Sequence, residues 1–372
     1  MKKTRKKLEI SKPFIGEEEI SAVVNVLKSR NLSQGHLVQK LEKDFASYCG
    51  TKYAVAVNSG TATLHCILHA LGVNENDEVI TTPFTFVATA NSILMQKAKV
   101  VFCDIDADTF NIDPKKIEEK ITKKTKVIMP VDLYGRIYDV KSINGLAKKH
   151  NIKVVEDAAQ SVGAKYLQKR AGSIADASSF SFYATKNLTA GVGGILTTNS
   201  KQIAEKCKSF RHHGQNENKL YEYKDFGYNY RMIDMIAAIA LEQLKKIEKF
   251  TQVRRRNAKL LTEGLQGIKG IILPIEKPGY KDVFHQYTIR ITKECKANRN
   301  KLIKFLENKG IMTRIYYPKP LHLYPHFIAM GYKKGDFPVA EKIASEVLSI
   351  PVHPLVTEND IQYIINSIKQ PL

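Results

Sequence analysis

A single lysine, Lys186, lies near the end of the aromatic, hydroxyl-rich run "SSFSFYATKN" (178–187), which otherwise reads as a buried strand. Lysine is seldom buried without a partner, so taken alone Lys186 reads as a solvated charge at a strand end. Two other stretches bear on it. "VNSGTATLH" reads as a strand, a turn at Gly60 and a helix starting near Thr61. Amides at a helix N-terminus beside a glycine, with the hydroxyls of Ser59 and Thr61, make an anion site, and the same pattern also serves as an ordinary helix cap. "VVEDAAQSVGA" ends its strand with Glu156 and Asp157. A carboxylate there is expensive unless a cation or a proton donor meets it. An amine, a carboxylate and an anion cradle together fit pyridoxal phosphate, which takes a lysine as a Schiff base, an acid facing its ring nitrogen and a cup for its phosphate. Phe86 in "TPFTFVATAN" offers an aromatic face to cover the ring.

These residues sit at the ends of apolar, β-branched runs: 53–59, 77–83, 99–105, 125–133, 152–158, 177–183 and 193–199. Helical patterns separate most of them, as at 62–72, 139–150 and 201–210. Strands continuous in apolar character and alternating with helices predict a mainly parallel sheet covered on both faces, which binds ligands at the carboxyl ends of its strands. From about 230 a long helix runs into "TQVRRRNAKL", and then the pattern changes: strands at 284–292 and 311–318 flank a helix at 298–310, and "DIQYIINSIKQ" forms a last helix. The expectation is an α/β large domain with the N-terminal segment, 1–250, that binds the cofactor, and a smaller α+β domain, 251–372.

The chain has 372 residues, 43% hydrophobic and 26% charged, the profile of a globular enzyme large enough for two cores. No apolar run reaches the ~18 residues of a membrane span, and the basic start "MKKTRKKLEI" has no apolar segment behind it, so a cytoplasmic protein without a membrane partner is expected. Five scattered cysteines suggest neither a disulfide framework nor a metal site. The net charge of +21 is spread over distant clusters ("KKTRKK", "KKTK", "RRR") and reads as solvated surface that can steer an anionic substrate. No nucleic-acid-binding signature accompanies it.

Taken in order, "NLSQGHLVQKLEKDFASYCG", "NSGTATLH", "NDEVITTPFTF", "VVEDAAQSVGA", "FSFYATKN", "GGILTTN", "RHHGQ", "FGYNYRMIDMIAAIALEQL" and "GIMTRIYYPKPLH" resemble the DegT/StrS-type nucleotide-sugar aminotransferase family. These are pyridoxal-phosphate enzymes of fold-type I, the aspartate aminotransferase-like fold, and the resemblance covers nearly the whole chain. It implies that Lys186 carries the cofactor, that Asp157 pairs with the ring nitrogen and that Gln160 lies beside the ring's phenolic oxygen. Gly60, Thr61 and Ser181 fall on phosphate contacts and Phe86 on the stacking aromatic, a position where the family often has tryptophan. Asn229 and Arg231 fall on residues that reach across a homodimer interface, toward the phosphate and the substrate respectively. The implied reaction moves an amino group, from L-glutamate in most of the family, to a keto group of a nucleotide-linked sugar at C3, with C4 as the other choice. Tyr317 and His322 fall where the family lines its sugar pocket, although residues of these types between prolines also pack. Ser33 and Gly35 could touch substrate on the same argument, while His212 and His213 read as a helix end. Val192 replaces an acidic residue common in the family's glycine run. Two alternatives stay open: another fold-type I reaction on the same lysine and aspartate, or a non-enzymatic, regulatory or nucleic-acid-binding protein with Lys186 solvated.

Overall fold

The computed structural model describes residues 7–216, 219 and 221–371. Each of the seven apolar runs becomes a strand of one sheet: β1 (Tyr53–Val57), β2 (Glu78–Thr81), β3 (Lys99–Phe102), β4 (Thr125–Met129), β5 (Lys153–Asp157), then, after a two-residue hairpin pair β6 (Lys165–Tyr166) and β7 (Lys169–Arg170), β8 (Ala177–Ser181) and β9 (Gly194–Thr198). The order across the sheet is β1-β9-β8-β5-β4-β2-β3. Only β9 runs against its neighbours; the pairs from β8 through β5, β4 and β2 to β3 are parallel. The carboxyl ends of β1, β8, β5 and β2 therefore open on the same side of the sheet.

Helices cover both faces: α1 (Glu17–Ser29), α2 (His36–Cys49), α3 (Gly60–Ala70), α4 (Ala88–Met95), α5 (Pro114–Ile117), α6 (Val140–His150), α7 (Lys201–Phe210) and α8 (Asp234–Leu265). Along β1, Val55 and Val57 join one apolar core and Ala54 and Ala56 the other. That two-sided burial is why the strands read as unbroken apolar runs. α8 is a single helix of 32 residues; Ala237, Ala240 and Ile247 pack on the large sheet, whereas Ala258, Leu261 and Leu265 enter a third core. The expected division at residue 250 thus falls inside a helix.

That third core lies on an antiparallel sheet of β10 (Ile271–Ile272), β12 (Tyr287–Ile291) and β13 (Val347–Ile350), while β11 (Tyr280–Lys281) joins β6. α9 (Arg299–Asn308), capped by Asn298, and α12 (Glu358–Lys369) match the expected helices; α10 (Pro325–Ile328) and α11 (Pro338–Glu346) lie between them. Residues 311–318, expected as a strand, make only isolated bridges, Leu8 with Ile311 and Arg314 with Ser349. Pro318 and Pro320 lack the N–H that a ladder needs, and the chain turns to the large sheet, where Leu321 N donates to Pro83 O at 2.7 Å. Leu321, Phe327, Phe337 and Ile343 then pack in the large sheet's core beside Phe102. A buried ion pair, Arg136 Nε to Asp282 Oδ2 at 2.7 Å, further joins the two regions. Among the described residues no helix is long and apolar enough to cross a membrane.

Candidate active site

β1 hands the chain to α3 through Ser59, whose backbone is extended and whose Oγ accepts from Ala62 N at 3.1 Å. Ser59 is thus the cap, and its own hydroxyl hydrogen remains to donate. The first amides of a helix have no acceptor within it, and they carry the positive end of its dipole. Gly60 cannot be replaced without cost: a Cβ there would meet the Ser181 Cβ at 2.8 Å. This close approach sets the start of α3, at Gly60 and Thr61, against Ser181 at the end of β8. Ser181 Oγ accepts from Tyr183 N at 3.3 Å and keeps its hydrogen for another acceptor.

Asp157 ends β5 one strand away from β8. Its Oδ2 accepts from Thr89 Oγ1 at 2.7 Å and its Oδ1 from Ala159 N at 3.2 Å. Burial pushes its carboxyl above the usual range, opposed by those two donors and by the Lys186 charge. Lys186 follows β8 in a tight loop closed by Ala190 N to Phe182 O (2.9 Å) and Ala184 N to Gly191 O (3.1 Å). The lysine is half-buried and, among the described residues, forms no ion pair or side-chain hydrogen bond. Burial brings its amine down to about 8, and the Asp157 charge acts against that fall. Each of the two groups therefore feels the other. A lysine whose neutral fraction is raised near physiological pH is a better nucleophile than a solvated one.

Phe86 is 57% exposed although the neighbouring Phe84 is fully buried. Its ring centroid lies 6.4 Å from that of Tyr317, which also meets Phe84 edge-on at 6.2 Å. Burial, with the Asp157 charge adding to it, holds the Tyr317 phenol in the neutral form, and Gln160 lies close enough to act against that shift. Gln160 is buried, with Oε1 accepting from Tyr134 N at 2.9 Å. Phe86, Tyr317, Gln160, Asp157 and Lys186 are thus brought to one cleft.

Glu156 points to the other face of the sheet, where among the described residues it forms no ion pair. Its Oε2 accepts from Gly172 N (2.8 Å) and Ser178 Oγ (2.5 Å), and the remaining side-chain contact is with Asp132, itself wholly buried. Two carboxyls in contact without a cation share a proton. Burial and the Glu156 charge drive the Asp132 carboxyl well up. Asp132 also takes Tyr138 N (3.0 Å) and Ser161 Oγ (2.6 Å), which fixes the turn after Gln160.

Other expected residues lie elsewhere. His322 is fully buried, with Nε2 3.0 Å from Glu341 Oε1 and its ring edge-on to Phe337. Gly35 lies against Asp234, which accepts from Gly35 N and Val38 N to cap α2; a Cβ on Gly35 would sit 2.6 Å from Asp234 Oδ2. Ser33 is exposed at this cap. His212 and His213 form the turn after α7, as expected of a helix end. Asn229 is exposed and Arg231 half-buried on a strip that flanks β1, where Val57 bridges Arg231 and Asn58 N donates to Tyr230 O at 2.8 Å. Val192 is exposed between Gly191 and Gly193. Sequence reasoning missed Thr89, whose only signal is a hydroxyl four residues after Thr85. It also missed His285, buried with Nδ1 3.1 Å from Asn187 Oδ1 beside Lys186.

Two features fit pyridoxal phosphate: the Gly60 turn that a Cβ would fill, and a desolvated, unpaired Lys186 set against a buried acid. The comparisons agree. The dTDP-3-amino-3,6-dideoxy-alpha-D-galactopyranose transaminase of Aneurinibacillus thermoaerophilus is 37% identical over 95% of each chain. A pleiotropic regulatory protein of Geobacillus stearothermophilus is 44% identical over 95% of this chain and 94% of its own. Among solved structures, Spr1654 of Streptococcus pneumoniae in its PLP form superposes with a TM-score of 0.93 at 30% identity, over 98% of each chain. The fold is that of fold-type I, the cofactor is pyridoxal phosphate and the chain is a nucleotide-sugar aminotransferase, which sets aside the non-enzymatic reading. The family model matching residues 13–369 carries the same conclusion: this chain belongs to the DegT/DnrJ/EryC1/StrS aminotransferase family.

Proposed function

We propose that this aminotransferase takes the amino group of L-glutamate and delivers it to a C3 keto group of a nucleotide-linked sugar, as a homodimer whose two active sites each draw on both subunits. The observation that carries the chemistry is the mutual setting of Lys186 and Asp157, an amine brought down to about 8 facing a buried acid. The C3 assignment is supported by the 3-amino product that the 37%-identical transaminase is named for.

Pyridoxal phosphate, when bound, supplies an electrophilic carbon and a ring that withdraws electrons. The first amides of α3, with the Thr61 and Ser181 hydroxyls, would hold its phosphate. Phe86 would cover one ring face, and Gln160 would lie beside the phenolic oxygen. The Lys186 Nζ would carry the cofactor and would serve as the base at the amino donor's Cα. Asp157 would meet the ring nitrogen and hold its proton in place. Tyr317 would narrow the cleft beside Phe86.

Shared sites are supported by the strip beside β1. Tyr221, Tyr223 and Phe226 are exposed there next to Asn229, an apolar surface of the kind that partners cover. In the dimer Asn229 would reach the partner's phosphate and Arg231 its substrate.

The test loads the protein with pyridoxamine phosphate and offers nucleotide sugars oxidised at C3 or at C4, following the return of the cofactor's visible absorbance. Recovery with a 3-keto sugar supports the proposal; recovery with 4-keto sugars alone moves the site to C4, and no recovery with any of them overturns it. Mixing Lys186→Ala with Asn229→Ala subunits should restore about a quarter of native activity if each site is shared, and none if it is not.

A further inference from the structure

The acid that faces the ring nitrogen is itself held by a two-hydroxyl chain. Thr89 Oγ1 lies 2.7 Å from Asp157 Oδ2, and Thr85 Oγ1 lies 3.1 Å from Thr89 Oγ1; all three side chains are buried. An ionised carboxylate only accepts, so the Thr89 hydrogen is committed to Asp157 and its lone pair is left for the Thr85 hydrogen. The chain therefore has one direction, from Thr85 through Thr89 to the carboxylate. With Ala159 N on Oδ1, each oxygen of Asp157 has one fixed donor and one lone pair still open. The plane of the carboxylate cannot turn without breaking one of these bonds.

The same short segment carries Phe86. Thr85 and Phe86 lie in the turn after β2, Thr89 N donates to Phe86 O at 3.2 Å as α4 begins, and Thr89 is on the first turn of that helix. One piece of backbone thus brings both the ring that stacks and the hydroxyl that aims the acid, and a shift of either moves the other.

We infer that Thr89, backed by Thr85, is a positioning residue that fixes the orientation and the ionised state of the Asp157 carboxylate so that it meets the ring nitrogen with a free lone pair. This rests on the role given to Asp157 above. The charged and titratable groups that face Asp157 are Lys186 after β8 and Tyr317; Glu156, next to it on β5, points to the opposite face and acts only through its charge. None of them duplicates the Thr89 bond.

The test uses cofactor-free full-length protein with carbon-13 in its aspartate carboxyls, the Asp157 signal being the one lost in Asp157→Asn. Loss of one donor to a charged acceptor should raise the Asp157 titration midpoint by about one pH unit in Thr89→Val, and Thr89→Ser should stay within a few tenths of native. In loaded enzyme, Thr89→Val should lower kcat about tenfold with the KM for the amino donor unchanged. An unmoved midpoint in Thr89→Val, or Thr89→Ser behaving like it, overturns the inference. Should Thr89→Val not fold, as read by thermal unfolding, Thr85→Val must move the midpoint in the same direction by less, and no movement overturns the inference equally. The titration needs neither cofactor nor sugar, so its failure is distinct from a failure of the sugar panel with native protein.

Discussion

Cofactor-free protein should capture pyridoxal phosphate with a pH dependence set by Lys186. Burial brings this amine from 10.5 down to about 8. At pH 7 the neutral fraction is then about 300 times that of a solvated lysine, since each pH unit is tenfold. The capture rate should rise with pH, bend near 8 and level off above it. Asp157→Asn supplies the sign test. The carboxylate favours the charged lysine, so its removal takes away the one influence opposing burial, and the bend must move to lower pH. Stopped-flow absorbance of Schiff-base formation gives the rates, with Lys186→Ala as the blank for the other lysines. A bend near 10.5 in native protein would mean a hydrated amine. An Asp157→Asn bend that stays in place or moves upward would mean that the two groups do not face each other, and the reasoning on the site would be refuted.

Gly60→Ala puts a methyl 2.8 Å from the Ser181 Cβ, and such overpacking costs about 1–3 kcal/mol; pyridoxal phosphate should bind roughly 10- to 100-fold more weakly by equilibrium dialysis while the fold persists. Lys186→Ala should retain the cofactor only loosely and show no amination, whereas Asp157→Asn should bind cofactor and lose most turnover, each measured in the sugar assay. Arg136→Ala leaves Asp282 buried without its cation and should cost about 3–5 kcal/mol in denaturant unfolding. Burial already raises the Asp282 carboxyl to about 6, and loss of Arg136 raises it further, so the cost should be full at about pH 8 and smaller at about pH 5, where the acid takes up a proton. A loss independent of pH would count against this account of the pair.

Much of the molecule is legible in the chain because its determinants are local. Each of the seven apolar runs became a strand, since a strand buried on both faces must be apolar throughout. The placement of Lys186, Asp157 and Gly60 at strand ends followed, because a parallel sheet collects those ends on one side. What the chain could not disclose depends on neighbours distant in sequence. Thr89 meets Asp157 across 68 positions, and Gly35 meets Asp234 across 199. Nothing near Glu156 announces that Asp132 lies beside it, because what a buried acid meets is settled by the packing around it. The antiparallel β9 between β1 and β8 and the burial of His322 against Glu341 belong to the same class. Residue types and their periodicity determined which chemistry was possible and which strands would carry it; only packing decided which side chains lost water, and so which of them could react.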